Sequence, residues 1–400
     1  MNLHLTRRAR GFSLVELMVS VVIGLLAILF ATRIMTDGER NKDAAMGGSD
    51  SMQNGMLAMF QISADAEQAG FGLNDPLITG CNTVFSDSQG YALAPALRDG
   101  VAISPLAAAV IEPGGEGPDR LTLYAGGATG GATTLRVTQN YIGGNTITVD
   151  RLPWGYFALG DVIVVAPEQM GEDCAMAQIS VDPSTQPPSP TQLQFGSVEQ
   201  RFNRGQLDVL YDGNTTRVFN LGPGARLAFH TWSVDKGFLR LRATDMAGAA
   251  EETGQAVADN IVTLKAQYGF DTREATDFKP GLGTAVGQWS SEMIDADGDG
   301  VNGGAGDYGR IVALRIAVVA RAKNPERPVA GADGEAVCQA TVEVENQEPV
   351  YLFNRAQPEG VEAAPVKVDL AVEGDTVDWQ CYRYRVFETI VPLRNAGWRN

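Results

Sequence analysis

Residues 12–31 read FSLVELMVSVVIGLLAILFA, and no other feature restricts the fold of this chain as strongly. Twenty mostly apolar residues are the length a helix needs to cross a bilayer. The segment before it, MNLHLTRRARG at 1–11, carries Arg7, Arg8 and Arg10 directly against the apolar run. Basic residues on that flank hold the N-terminus on the cytoplasmic side, so everything beyond residue 31 is placed across the membrane.

Three details go further than a plain signal anchor. The basic segment ends in Gly11, a small residue where a processing enzyme fits. A secretory signal is cut after its apolar core at an A-x-A site, but here the core leads into TRIMTDGERNKD. The third detail is Glu16, a carboxylate one turn inside the apolar helix. Placing it in a bilayer costs about 3 kcal/mol, so it needs a partner. A cut between Gly11 and Phe12 would free the Phe12 α-amino group, and that ammonium would meet Glu16 of a neighbouring subunit in a helical bundle. Arg7–Arg8 suggest a twin-arginine signal as a competitor, against which Glu16 and the missing cleavage site both argue.

The stretch G-FSLVELMVS resembles the class III prepilin signal of type IV pilins and type II secretion pseudopilins. The resemblance implies that a prepilin peptidase cuts after Gly11 and N-methylates Phe12, and that Glu16 is the glutamate used in assembly. It also implies a single pass through the inner membrane with a periplasmic head, followed by transfer to a pilus on the cell surface.

Beyond the anchor, composition favours a β-rich body. Glycine is abundant, at 46 of 400 residues, and helix-rich Ala/Leu/Glu/Lys blocks are missing. The formal charge is −17. Loss of the three leader arginines leaves about −20, a surface that repels nucleic-acid backbones and tolerates cations. Cys81, Cys174, Cys338 and Cys381 all follow the apolar run, which suits an oxidising compartment. Three pairings are possible. Cys81–Cys174 with Cys338–Cys381 is favoured because each pair stays in its own half; four buried free thiols are the bland alternative.

Along the chain, 1–11 is the leader and 12–31 the transmembrane and filament-core helix. Residues 32–69 continue it, with Met52, Met56, Met59 and Phe60 on one apolar face, and Gly38, Gly47, Gly48 and Gly55 predict a break. The first β-rich part of the head spans 70–180, with runs such as LTLYA and DVIVVA between glycine-rich turns. A proline-rich linker follows at 181–192, and the second β-rich part covers 193–400. TLKAQYGFDT at 263–272, GRIVALRIAVVARA at 309–322, YRYRVFETIVPLRNAGW at 382–398 and ADAEQAGFG at 64–72 are similar to PilW-type minor pilins.

One segment suggests a ligand. In DADGDGVNGGAGD at 295–307, Asp295, Asp297 and Asp299 alternate before Gly300, as hard oxygen donors in a calcium loop do. The twelfth position is Gly306 rather than a bidentate glutamate, so Asn302 or Asp307 would have to complete the set. A solvated acidic turn is the plainer reading. His230, in RLAFHTWSV, reads as a core or interface residue. Asn214 opens an N-T-T sequon and reads as a surface turn. No nucleophile elbow, phosphate loop or HExxH is present, so the chain offers no catalytic case.

The expected architecture is α+β: a pilin-like long N-terminal helix packed on an antiparallel sheet, with an enlarged β-rich head. The resemblance implies a minor pilin that helps prime a type IV pilus near its tip, for adhesion and twitching motility. Its implied partners are prepilin peptidase, other minor pilins, the major pilin, the inner-membrane assembly platform and, through 12–31, the membrane. A type II secretion pseudopilin, a calcium-dependent tip adhesin and a membrane-anchored hydrolase are the alternatives. No cofactor is required, Ca²⁺ excepted if the aspartate loop binds it, and no nucleic-acid partner is expected.

Overall fold

The computed structural model describes residues 13–128, 134–185, 190–196, 199–246, 253–326, 328–330, 336–338 and 350–394. The Gly11–Phe12 junction lies outside them. The chain divides into two units, 1–50 and 51–400. One helix is assigned over Leu14–Gln68, and the remainder is mostly β, so the chain is α+β.

Among the described residues the head is built on three sheets of four or five strands, with four two-stranded ones beside them. The first has the order Thr83–Val84, Cys174–Gln178, Asp161–Pro167, Thr216–Pro223, Thr134–Arg136, antiparallel except for its first pair. Strands from both sides of segment 181–192 therefore share this sheet. It is covered on both faces. Val162, Val164 and Ala166 point into the large core, while Ile163 and Val165 point into a second one with Leu135, Phe195 and Tyr211. A strand buried on both faces needs an unbroken apolar run, which explains DVIVVA.

The second sheet is antiparallel in the order Gln255–Asp259, Phe238–Ala243, Ala228–Asp235, Arg120–Ala125, Ala109–Glu112. The third runs Gln288–Ser290, Ile261–Phe270, Ile311–Arg321, Tyr384–Pro392, also antiparallel. Its central strand again alternates between two cores: Leu314, Ile316 and Val318 face one, Ala317 and Val319 another. The apolar-alternating QLDVLY at 206–211 forms no strand and keeps only the isolated bridge Tyr141–Tyr211.

The helix meets the head differently from its sequence pattern. Of the predicted face, Met59 packs part-buried against the core, but Met52, Met56 and Phe60 are 45%, 53% and 72% exposed, whereas Ala58, Ile62 and Ala66 are fully buried with Ser51 and Ala69 on the same side. Gly55 lies on this seam, where a Cβ would collide with the Phe387 ring. Small side chains at Gly55, Ala58 and Ala66 let the helix approach the sheet closely, with Ile62 the one large side chain fully buried on this face, while Met52, Met56 and Phe60 are left outside. The predicted break is also missing. Glycine costs about 1 kcal/mol in a helix, yet it keeps both backbone hydrogen-bonding groups, so a nucleated helix propagates through it.

Candidate functional site

The first feature is the anchor. Leu14–Thr36 forms a span of 23 residues with mean hydropathy 2.7 in its most apolar window, none of which is buried within the chain. Leu14, Met18, Ile23 and Phe30 are each at least 60% exposed. Such a surface is stable only in lipid or against other apolar helices. Its polar groups are satisfied locally: Ser20 donates to the Leu17 carbonyl and Thr32 to those of Ile28 and Leu29. This is what a helix in lipid requires. Glu16 sits in the first turn, and its Oε2 accepts the Ser13 amide at 3.3 Å. The carboxylate therefore leans back toward the N-terminal end of the helix, where the helix dipole favours it.

The second feature is the loop 295–307. Asp295, Asp297 and Asp299 each offer a carboxylate oxygen within 4.8 Å of the others. Backbone amides shape the turn: Gly298 and Gly300 donate to Asp295, Asp299 to Asp297, and Val301 to Asp299. Burial raises the Asp297 carboxyl, and the charges on Asp299 and Asp295 push it in the same direction. Asp307 is buried beside them and accepts the amides of Ala296, Asp297 and Gly304. Its burial outweighs those bonds and lifts it to about 6. Asn302 turns its side-chain oxygen to the Asp295 amide. The structure thus gathers the three alternating aspartates, with Asp307 behind them as a strut and Asn302 closing the turn.

The third feature joins distant residues. His230 Nδ1 lies 2.8 Å from Asp65 of the helix, and Nε2 lies 2.7 Å from Asp245. Trp232 Nε1 donates to the same Asp65 oxygen at 2.8 Å. Burial opposes a charge on His230, but the two carboxylates outweigh it and push it up to about 9. Asp245 is held below the usual range, its burial being overcome by His230. His230 thus sits at an interface, as expected, bridging a carboxylate of the helix and one of the head. Asp65 lies in ADAEQAGFG, yet nothing local marks it as a partner 165 positions from His230.

The cysteines pair as Cys81–Cys174 and Cys338–Cys381. Asn214 occupies a left-handed turn position, φ 68°, with its side chain exposed.

An apolar helix followed by a disulfide-linked β head fits a single-pass, membrane-anchored subunit. The comparisons with known proteins agree with that class. Residues 6–32 match the prokaryotic N-terminal methylation motif, and residues 233–395 match the family described as Type IV Pilus-assembly protein W. Together they support a PilW-type pilin, processed by prepilin peptidase and assembled with other pilus components. Pilin domains of this kind are structural rather than enzymatic. No curated protein and no solved structure matches the chain.

Proposed function

We propose that this chain is a low-copy minor pilin that primes a type IV pilus and sits at or near its tip. The observation that supports this is the size of the head. The PilW match begins only at residue 233. Ahead of it stands an additional β body with a sheet and a core of its own. A head enlarged in this way is difficult to repeat densely along a thin shaft, and it suits a position that occurs once. The packing of its outer helix on the head through the Gly55–Ala58–Ile62 seam supports the same reading.

Immunogold labelling of sheared pili tests the position: signal confined to pilus ends supports it, and uniform labelling of the shaft excludes it. Deletion separates this reading from a type II secretion pseudopilin. Loss of surface pili and twitching favours the pilus, whereas retained pili with blocked exoprotein secretion favours the secretion system.

A second reading adds calcium, motivated by the convergence of Asp295, Asp297 and Asp299 in one turn. Three carboxylates so close repel one another unless a cation lies between them. Calorimetric titration of the full-length protein in nanodiscs with Ca²⁺ tests it. The absence of both heat and thermal shift would remove calcium, and with it the calcium-dependent adhesin.

A further inference from the structure

A cleft of about 600 Å³ opens between the hairpin Ala96–Arg98/Val101–Ile103 and the strand Ala109–Glu112, which ends its sheet. It brings together parts of the chain far apart in sequence, because Met293, Glu292 and Asn302 complete its lining. Its apolar lining includes the exposed Leu97, the part-buried Met293 and the buried Ile111, and its carboxylates are Asp99, Glu112 and Glu292. No lysine or arginine lines it among the described residues.

Two of these residues are unfavourable as they stand. Leu97 is 62% exposed, an apolar wall left in water. Glu112 is part-buried, and its nearest cation, Arg120, stands 3.6 Å away. Burial raises the Glu112 carboxyl despite that arginine, so a second cation in the cleft would be welcome. The volume is that of a site for a small ligand or a few side chains.

We propose that this cleft docks a segment of a partner subunit that carries one lysine or arginine beside an apolar side chain. The charge pattern selects a cation, and the exposed leucine selects an apolar neighbour to it. An acidic or phosphorylated segment would meet three carboxylates on a chain of net charge −17. Strand addition is not the mode. The Ile111 amide, which points out from the sheet edge, is already donated to the Tyr268 hydroxyl at 2.5 Å. Recognition therefore runs through side chains. Assigning the segment to a pilus subunit rests on the assembly reading above; the chemistry of the cleft does not.

The test uses full-length protein in phosphatidylcholine nanodiscs and a fluorescein-labelled Ala-Leu-Lys-Leu-Ala peptide, read by fluorescence polarisation. The peptide is expected to bind roughly tenfold more tightly than its Ala-Leu-Glu-Leu-Ala counterpart, and Glu112→Gln to weaken it about fivefold. Leu97→Ser, a change at an exposed position, is expected to weaken both peptides. Equal binding of the two peptides overturns the proposal, as does unchanged binding in both variants. Displacement by free n-butylamine at the same concentration as the peptide also overturns it, since it marks an amine site without docking. None of these outcomes depends on whether pili form, so the assembly reading stands or falls separately.

Discussion

His230 and Asp65 tie the last turns of the helix to the strand Ala228–Asp235 through a 2.8 Å contact, with Asp245 closing the other side of the ring at 2.7 Å. A protonated imidazole between two carboxylates is satisfied at both nitrogens. It holds the helix to the head at a point where the packing seam of small residues supplies little area.

Because the folded His230 titrates at about 9 and the unfolded residue near its ordinary 6.5, its contribution is complete below pH 6.5. It is lost as the pH rises through 9. The urea midpoint of the full-length protein should therefore fall between pH 6.5 and 9.5, and His230→Gln should flatten that slope. At pH 6 the substitution is expected to cost about 1–3 kcal/mol, the range for breaking a part-buried charged hydrogen bond.

Gly55→Ala provides a test in which two effects oppose. Helix propensity alone predicts a gain of about 1 kcal/mol. The Phe387 ring occupies the space a Cβ needs, so a net loss of roughly 1–3 kcal/mol is expected instead. Chemical denaturation should show the loss, and Phe387→Leu in the same chain should recover part of it. A stabilised single variant would mean that the helix does not pack here as described.

Glu16→Gln removes the charge while keeping the shape. If the carboxylate meets the amino terminus of an adjoining subunit, recovery of this chain in sheared pili should drop by about tenfold or more, the effect of leaving one charge unpaired in an apolar bundle. Membrane levels should be unchanged. Mass spectrometry of the purified protein should show a mature chain that starts at methylated Phe12; a retained leader would contradict the processing scheme.

Cys81 and Cys174 are 93 positions apart and join the turn after the helix to the first sheet. Closing a loop that long stabilises by about 4 kcal/mol in the chain-entropy picture. Cys81→Ser is expected to lower the unfolding midpoint by a corresponding amount and to expose the head to limited proteolysis. Intact resistance to protease would argue that the core alone holds the two regions together.

The anchor could be read from residues in order, because lipid affinity depends on a contiguous run and a bilayer needs no tertiary partner. The prepilin signal is equally local, with Gly11, Phe12 and Glu16 in one short register, and so is the turn of alternating aspartates at 295–299. Strands buried on both faces announced themselves as long apolar runs, unbroken in VIVVA at 162–166 and interrupted only by the buried Arg315 in IVALRIAVVA at 311–320. The burying face of the helix was not local information. Periodicity marks Met52, Met56, Met59 and Phe60, of which only Met59 packs on the core, whereas the approach of the sheet selected Gly55, Ala58 and Ile62, with Phe387 leaving no room for a Cβ at Gly55. The pairing of His230 with Asp65 and the cleft joining Leu97 to Met293 likewise depend on chain segments far apart in sequence. Sequence by itself decided where the chain enters the membrane and which segments can be strands. Only the folded head decided which side chains meet, because contact between remote residues is set by how the sheets stack.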